Sequence, residues 1–136
     1  MFYVATCLLF DRNNRLLIYL RDDKEDISFP NHWDLFGGII EEGETPELAL
    51  VREIKEELDI EIKHYTRFRE YDSHEVEKPN KKYVFYAQVN FLPDELILGE
   101  GQRLTSIALE ERHQYKFANI LGRIIDDFVE AGIQVS

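Results

Sequence analysis

Cysteine is nearly absent from this sequence, since Cys7 is the only one. A single thiol cannot form an intrachain disulfide, which excludes the disulfide-rich secreted scaffolds and fits a reducing, cytoplasmic location. No basic residue adjoins Cys7 in the sequence, so a buried structural thiol is a better interpretation than a nucleophile.

Long apolar runs are also missing. No stretch approaches the ~20 consecutive apolar residues that a membrane-spanning helix needs. The apolar first ten residues lack a basic start and lead directly into Asp11 and Arg12, so they are typical of a first strand and not of a signal peptide. We therefore expect no membrane partner.

Positive charge is scarce, because 16 lysine and arginine residues stand against 27 aspartate and glutamate residues, for a net charge of −11. This balance argues against a nucleic-acid polymer or an anionic membrane as the main partner. It leaves a nucleotide open, because metal ions on an acidic cluster can bridge the protein to a polyphosphate. The 136 residues, 44% of them hydrophobic, suit one domain over residues 1–136.

The acidic residues are concentrated around one predicted helix. Thr45 is a good N-cap, Pro46 suits the first helical position, and Glu47 complements the positive end of the helix dipole. The helix should therefore begin near Pro46. Its apolar positions recur at spacings of three and four residues, which predicts one stripe that faces a core. These positions are Leu48, Val51, Ile54 and Leu58.

A second face of the same helix carries three carboxylates. Glu53, Glu56 and Glu57 stand at i, i+3 and i+4, so they project from neighbouring turns and repel one another. A solvated acidic face is the usual explanation of such a pattern. Here Gly37 and Gly38 precede the helix and permit a close approach of the backbone. Hard oxygen ligands on a rigid helix suit Mg²⁺ or Mn²⁺, and a divalent ion would relieve the repulsion.

The stretch from Gly38 to Ile60 resembles the Nudix box, Gly-x5-Glu-x7-Arg-Glu-apolar-x-Glu-Glu-x-Gly-apolar. The matching residues are Gly38, Glu44, Arg52, Glu53, Ile54, Glu56, Glu57 and Ile60. A chance match of this quality is on the order of one in a million starting positions or rarer. Asp59 replaces the last glycine, and Asp is one of the few other residues that tolerate the left-handed conformation at a helix end. We expect a modest loss of stability there and no loss of chemistry.

The resemblance implies an α/β fold, a Nudix-like α/β/α sandwich with a mixed, curved sheet. It also implies a site for Mg²⁺ or Mn²⁺, in which Arg52 orients Glu53 or Glu44 by a bidentate ion pair. The implied metal ligands are Glu53, Glu56, Glu57 and the Gly38 carbonyl. A carboxylate would take the proton from the attacking water, and the candidates are Glu57, Glu53, Glu44 and Glu100.

Glu100 is a candidate because it lies between Gly99 and Gly101. A carboxylate on a glycine-flanked loop can approach a metal-bound water. Proteins similar to this one often place a metal ligand or a base in such a late loop.

Three residues outside the box are candidates for substrate binding. Arg21 ends the second predicted strand, a position that often contacts phosphate in similar proteins, and pairing with Asp22 or Asp23 is the alternative. Trp33 is most simply a core residue, with base stacking as the alternative. Lys82 ends a polar loop predicted over residues 72–82. It is a candidate phosphate contact, against the alternative of a solvated loop tip.

The remaining elements agree with a layered α/β domain. Apolar, β-rich patterns predict strands over residues 2–10, 15–21, 32–36, 83–91 and 104–109, and the loosely alternating residues 60–71 form a long hairpin with 83–91. From Glu110 the pattern is helical and ends near Gly132. Its apolar stripe consists of Phe117, Ile120, Leu121, Ile124, Ile125 and Phe128.

The activity implied by the resemblance is Mg²⁺-dependent cleavage of the diphosphate in a nucleoside diphosphate derivative, giving a nucleoside monophosphate and a phosphorylated product. A nucleoside triphosphate, oxidised or not, and a nucleotide sugar are the leading substrates, ahead of ADP-ribose and dinucleoside polyphosphates. The first alternative is a catalytically silent nucleotide-binding or regulatory module of the same fold. A structural domain with a solvated acidic helix is the second. The sequence does not exclude a homodimer.

Overall fold

The computed structural model of the chain describes residues 1–74 and 78–135. The strands in these ranges are β1 (Phe2–Phe10), β2 (Leu16–Leu20), β3 (Trp33–Asp34), β4 (Phe36–Ile39), β5 (Thr66–Ser73), β6 (Asn80–Gln88) and β7 (Arg103–Ile107). The α-helices are α1 (Pro46–Leu58) and α2 (Leu121–Glu130), and 3₁₀ turns cover Pro93–Glu95 and Leu109–Gln114. None of the described helices combines the length and apolarity needed to cross a membrane.

Strand β1 lies at the centre of a mixed sheet. It pairs in parallel with β6 along its whole length, from Phe2 opposite Asn80 to Phe10 opposite Gln88. On its other side it pairs antiparallel with β4 and, at one end, with β2. The strand order is β3-β2-β1-β6-β5, with β4 added beside β1 and β7 beside β2. Residues 5–10 of β1 are buried, as expected for a strand that is covered on both faces.

The two faces of the sheet carry separate cores because successive side chains of β1 alternate between them. Cys7 and Leu9 pack with the apolar residues of α1. Leu8 and Phe10 pack with the apolar residues of α2. We call these sides of the sheet the α1 face and the α2 face. This arrangement confirms the predicted α/β class with helices on both sides of a mixed sheet.

The start and the end of α1 are as predicted. The Thr45 side chain accepts a hydrogen bond from the Leu48 backbone N–H at 3.1 Å, and Pro46 occupies the first turn. Asp59 adopts the left-handed conformation with φ 56°, so it takes the role that glycine has in the Nudix box.

The predicted apolar stripe of α1 is wrong at Leu48, which is 59% exposed. The residues that α1 buries are Ala49, Leu50, Ile54, Glu57 and Leu58. Leu50 and Ile54 are four residues apart and share this face, whereas Leu48 is two residues from Leu50 and so points to the opposite side of the helix. The buried stripe therefore includes a carboxylate that apolar periodicity could not assign to it.

The C-terminal segment differs from the continuous helix that we predicted from Glu110. After the 3₁₀ turn the chain is extended, and Phe117 forms a bridge with Trp33. The Trp33 backbone N–H donates to the Lys116 carbonyl at 2.8 Å, and its carbonyl accepts from Ala118 at 2.9 Å. These bonds to β3 replace helical bonds, and Asn119 then turns the chain with φ 54°. Helix α2 begins only at Leu121.

The hairpin of β5 and β6 extends farther than its sequence indicated. Ser73 pairs with Asn80 and Tyr71 with Lys82, so both ends of the polar loop predicted over residues 72–82, residues 72–73 and 80–82, belong to strands. Residues 75–77 of that loop lie outside the described residues. The single strand predicted over residues 32–36 is divided into β3 and β4, which pair with different neighbours.

Candidate active site

Arg52, in the middle of α1, is the centre of an acidic cluster. Its guanidinium binds Glu44 through two bonds, Nε to Oε2 at 2.8 Å and Nη2 to Oε1 at 3.0 Å. Its Nη1 also donates to Glu53 at 2.9 Å. The bidentate pair predicted for Arg52 is thus with Glu44, and Glu53 accepts a single bond. We call Glu44, Glu53, Glu56, Glu57 and Arg52 the acidic cluster.

Glu44 is fixed by this contact. Hydrogen bonds from Arg52 hold the pKa of the Glu44 carboxyl below its ordinary value. The Glu41 backbone N–H donates to the same carboxylate at 2.9 Å. A carboxylate with both oxygens engaged and a lowered pKa is a weak proton acceptor. Glu44 is therefore better suited to positioning Arg52 than to serving as the base.

Glu57 is the most deeply buried carboxylate of the cluster, with 5% of its surface exposed. Burial raises the pKa of Glu57 to about 9, and the Glu100 and Glu53 charges add to this effect. The backbone N–H of Gly37 opposes it by donating to Glu57 Oε1 at 2.9 Å. Without a cation, this one hydrogen bond is too little to offset the burial of ionised Glu57.

Gly38 provides the space that Glu53 occupies. A Cβ at position 38 would lie 2.3 Å from the Glu53 carboxyl carbon, so only glycine leaves this carboxylate in place. Partial burial raises the pKa of Glu53, while the bond from Arg52 opposes the rise. Glu56 is more exposed and lies 3.3 Å from Arg52 Nη1.

The chemistry of this donor set fits a hard divalent cation. It combines carboxylates that repel one another with a backbone carbonyl next to a glycine cradle. In residues 1–74 and 78–135 no three His, Cys, Asp or Glu side chains are close enough to form a metal site by themselves. Glu53 and Glu56 are instead held by Arg52. The assignment of Glu53, Glu56, Glu57 and Gly38 as metal ligands remains a prediction.

A cavity of about 630 Å³ opens beside the acidic cluster. Gly37, Gly38 and Glu100 line one part of it, and Asn80 and Lys82 of β6 line another. The other lining residues include Val4, Thr6, Tyr19, Arg21, Phe29, Asp34, Leu35, Ala118, Asn119 and Leu121. The fold therefore brings three sequence candidates, Arg21, Lys82 and Glu100, to one cavity next to the box.

Arg21 is held in the cavity wall by Asp34. Its Nη1 donates to Asp34 Oδ2 at 2.8 Å and its Nε to the Ser28 carbonyl at 2.9 Å. The alternative partners Asp22 and Asp23 form no salt bridge with Arg21 within the described ranges. Burial raises the pKa of Asp34, and the bond from Arg21 opposes that rise. Tyr19 also donates to Asp34, at 3.2 Å.

Lys82 is 5% exposed, so the alternative of a solvated loop tip is wrong. It lies inside β6, and its Nζ donates to Asn80 Oδ1 at 2.6 Å. Burial lowers the pKa of Lys82, with the Asp34 charge acting in the opposite direction. A buried ammonium that faces a cavity is a stronger candidate for ligand binding than the sequence pattern indicated.

Trp33 is the sequence candidate that the fold does not bring to this cavity. Its ring packs edge-on against Tyr115, with centroids 5.4 Å apart, and it is absent from the cavity lining. This position agrees with the simpler prediction of a packing role.

Asp34, Asn80 and Asn119 are polar residues of the cavity that sequence reasoning missed. Asn119 Oδ1 accepts from the Ile120 backbone N–H and from Ser73 Oγ, each at 2.8 Å. Asn119 and Asn80 stand in segments whose pattern showed no chemistry. Asp34 had one available indication, a charged residue between the apolar Trp33 and Leu35.

The NUDIX domain family model matches residues 2–128. The chain belongs to the Nudix family. In sequence, this Nudix protein is 38% identical over 65 residues to the 8-oxo-dGTP diphosphatase of Escherichia coli (strain K12), covering 48% of this chain and 49% of that one. It is 34% identical over 64 residues to the 8-oxo-dGTP diphosphatase of Proteus vulgaris, covering 47% and 55%. The matched stretch thus spans about half the length of these curated relatives.

Solved structures agree over nearly the whole chain. The MutT protein from Methanosarcina mazei Go1 superposes with a TM-score of 0.83 at 18% identity, covering 98% of this chain and 96% of that one. The NUDIX domain of Shewanella oneidensis NrtR, complexed with ADP ribose, superposes with a TM-score of 0.79 at 15% identity, covering 96% and 88%. At these identities the structural similarity establishes only the fold of this Nudix chain and not its substrate.

Proposed function

We propose that this protein is a divalent-cation-dependent pyrophosphohydrolase that cleaves the diphosphate of a nucleoside diphosphate derivative. The products would be a nucleoside monophosphate and a phosphorylated remainder. The observation that carries the proposal is the buried carboxylate of Glu57, whose pKa is raised to about 9 by burial and neighbouring carboxylates. Gly38, against which the Glu53 carboxyl packs, lines a nucleotide-sized cavity.

Glu53, Glu56, Glu57 and the Gly38 carbonyl would hold Mg²⁺ or Mn²⁺. Such an ion would neutralise phosphoryl oxygens and lower the pKa of a bound water. Arg52 keeps Glu53 in place through a bond at 2.9 Å, and Glu44 keeps Arg52 in place through two. Residues that orient metal ligands in this way commonly affect activity by about 10–100-fold.

Glu100 is the residue that we propose as proton acceptor. Its side chain lines the cavity and is exposed, and no salt bridge engages it within the part of the chain that the structure describes. Glu44 is less suitable because Arg52 occupies both of its oxygens. Glu53 and Glu57 would be needed as ligands.

The substrate class follows from the cavity and from the relatives. The two curated relatives are 8-oxo-dGTP diphosphatases, so nucleoside triphosphates, including oxidised ones, come first, ahead of nucleotide sugars. Arg21 is proposed to bind phosphate through Nη2, which has no hydrogen bond among the described residues, while Asp34 and Ser28 fix the rest of its guanidinium.

A catalytically silent nucleotide-binding module is the second candidate. The observation in its favour is the complex of the Shewanella oneidensis NUDIX domain with ADP ribose. Such a module would bind nucleotides in the same cavity without turnover. The intact acidic cluster favours the enzyme, because a module that only binds has no need of buried, mutually repelling carboxylates.

The deciding experiment is phosphate release from a panel of nucleoside triphosphates, oxidised nucleoside triphosphates, nucleotide sugars, ADP-ribose and dinucleoside polyphosphates, with a coupled enzyme to expose monoesters. We expect turnover of one class with Mg²⁺ or Mn²⁺ and none after exhaustive EDTA treatment. A rate that EDTA leaves unchanged would overturn the mechanism. Binding without turnover across the panel would favour the silent module.

Two features of the chain's setting are also proposals. The free and buried Cys7 suits a reducing, cytoplasmic location. The second is a homodimer, which sedimentation equilibrium of the purified chain would test.

A further inference from the structure

The side chain of Lys82 lies on the α2 face of the sheet. Lys82 is two residues before Val84 on β6, so both side chains project to the same side, and Val84 packs in the core with α2. Its cross-strand partners are Val4 on β1 and Tyr71 on β5. The acidic cluster is carried by α1, which packs on the opposite face.

This placement separates Lys82 from the site proposed for the diphosphate. Val4 pairs with Lys82 on one side and with Ile39, next to Gly38, on the other. Two strand spacings, about 10 Å, therefore lie between the backbones of Lys82 and Ile39. A diphosphate held beside Gly38 and Glu53 leaves Lys82 to contact another part of the ligand.

The hydrogen bonds of Lys82 leave donor capacity unused. An ammonium has three donors, and the bond to Asn80 Oδ1 at 2.6 Å uses one of them. Asn80 is itself oriented, because its Nδ2 donates to the Lys78 carbonyl at 3.1 Å. Within residues 1–74 and 78–135 no carboxylate forms a salt bridge with Lys82. A buried ammonium with unused donors requires a hydrogen-bond acceptor.

The cavity that Lys82 lines also carries apolar side chains, which suit a flat ring. Val4, Leu35 and Leu121 supply aliphatic surface and Phe29 an aromatic one. Such a surface favours a nucleobase over a hydrated phosphate. On a base, the acceptors that an ammonium can reach are ring oxo groups and ring nitrogens.

We propose that Lys82 selects the base by donating a hydrogen bond to a ring oxo group, so that the protein prefers nucleotides with oxo-bearing bases to those with an amino group at the same position. An amino group offers donors in place of the acceptor at that position, so this hydrogen bond of the buried ammonium would stay unmade, which disfavours the amino-bearing ligand. This inference rests on the proposed function, because it assigns the base end of the same cavity.

The test compares nucleotides that differ mainly in this group. Inosine and adenosine triphosphates form one pair and uridine and cytidine triphosphates the other. We expect kcat/KM to favour the oxo member of at least one pair by about tenfold or more. Lys82→Met should bring that ratio close to one, mainly by slowing the oxo member, and Lys82→Arg should retain part of the preference. Lys81→Met is the matched control, because Lys81 is the next residue and pairs with Glu70 at 3.1 Å.

A second arm does not depend on turnover. Binding of inosine and adenosine monophosphates, and of the uridine and cytidine pair, is measured by calorimetry in EDTA for the intact protein and for Lys82→Met. An oxo preference that Lys82→Met removes supports the inference even if no nucleotide is hydrolysed. Equal loss for both members of each pair would make Lys82 a phosphate contact and overturn the inference. An unchanged ratio, or no oxo preference in either arm, would overturn it as well.

Discussion

The two faces of the central sheet bury side chains of opposite charge. On the α1 face several carboxylates crowd around one guanidinium, and Glu57 is buried with its pKa raised to about 9. On the α2 face a buried ammonium, Lys82, has an amide as its hydrogen-bond partner. We propose that a cation completes the first arrangement and that a neutral or anionic acceptor completes the second. A nucleotide complexed with a divalent ion offers both at once.

The two faces also differ in how they are assembled along the chain. The acidic cluster comes from residues 44–57 and the adjoining Gly37 and Gly38, so its members are close in sequence. The cavity wall on the α2 face combines β1, β6, the segment before α2 and the loop containing Phe29. Motifs of short range therefore reveal the first face, whereas only tertiary pairing creates the second.

The largest expected effect is on the α1 face. Glu57→Gln should lower kcat by about 10³-fold or more. It removes the charge of a proposed metal ligand, and stabilisation of the transition state by the metal ion is worth several kcal/mol. The amide oxygen can still accept from Gly37, so circular dichroism and the cooperative unfolding transition should stay intact. Glu61→Gln, at an exposed position just after α1, is the control. Near-normal turnover in Glu57→Gln would remove Glu57 from the metal site.

A smaller but still large effect is expected from Gly38→Ala. The new Cβ would lie 2.3 Å from the Glu53 carboxyl carbon, and because that carboxyl is the end of a flexible side chain, Glu53 should move while the fold persists. We expect kcat to fall by about 100-fold, in the range that loss of ligand orientation produces. Gly122→Ala is the matched control, since its nearest neighbour is Phe117 Cβ at 4.0 Å. Equal activity of the two variants would contradict the role of Gly38.

The pH dependence of stability should reveal the buried carboxylate of the α1 face. The folded protein holds the Glu57 proton up to a pKa of about 9, whereas the unfolded chain releases it near the ordinary value of 4.5. Between these two pKa values the folded state binds more protons than the unfolded state. The free energy of unfolding of the metal-free protein should therefore fall as pH rises from about 5 to 9. The slope from this group is at most about 1.4 kcal/mol per pH unit.

Urea denaturation in EDTA at several pH values measures that slope. Glu57→Gln should flatten it, and saturating Mg²⁺ should offset the loss of stability at high pH. The difference between the two proteins isolates Glu57 from other titrating groups. Identical slopes would show that Glu57 ionises normally in the fold.

The smallest expected effect is on the α2 face. Ser73→Ala removes one of the two bonds that hold the Asn119 amide oxygen. Poorer orientation of the Asn119 amide should weaken substrate binding by about 1 kcal/mol and so raise KM about fivefold. We expect kcat to stay unchanged, because the acidic cluster is untouched. Ser106→Ala on β7 is the control. A fall in kcat with constant KM would mean that the two faces are not independent.

Much of the α1 face could be predicted from the sequence because its determinants are local. Thr45, Pro46 and Asp59 act within one turn of the helix ends, and the structure confirms all three positions. The spacing of Glu53, Arg52 and Glu44 placed them in one cluster for the same reason. Leu48 was misplaced because several positions of α1 are apolar, and only packing against the sheet decides which of them are buried.

The α2 face was harder because its determinants are distant in sequence. The segment around Phe117 has helical periodicity, but hydrogen bonds to Trp33 hold it extended. Lys82 stands in a polar stretch that is typical of a loop, yet pairing with Val4 and Tyr71 draws it into a strand. Asn119 gives no sequence indication because its role depends on Ser73, which comes from another strand.

The parallel pairing of β1 with β6 has a consequence for how the chain folds. Every residue of β1, from Phe2 to Phe10, pairs with a residue between Asn80 and Gln88. The middle of the sheet therefore cannot form until most of the chain has left the ribosome. Contacts of such long sequence separation slow folding. Until β6 is synthesised, the edge of β1 that faces β6 lacks its partner, and unpaired strand edges are prone to aggregation. The central strand of the folded sheet is thus also the one that keeps an unpaired edge until late in synthesis.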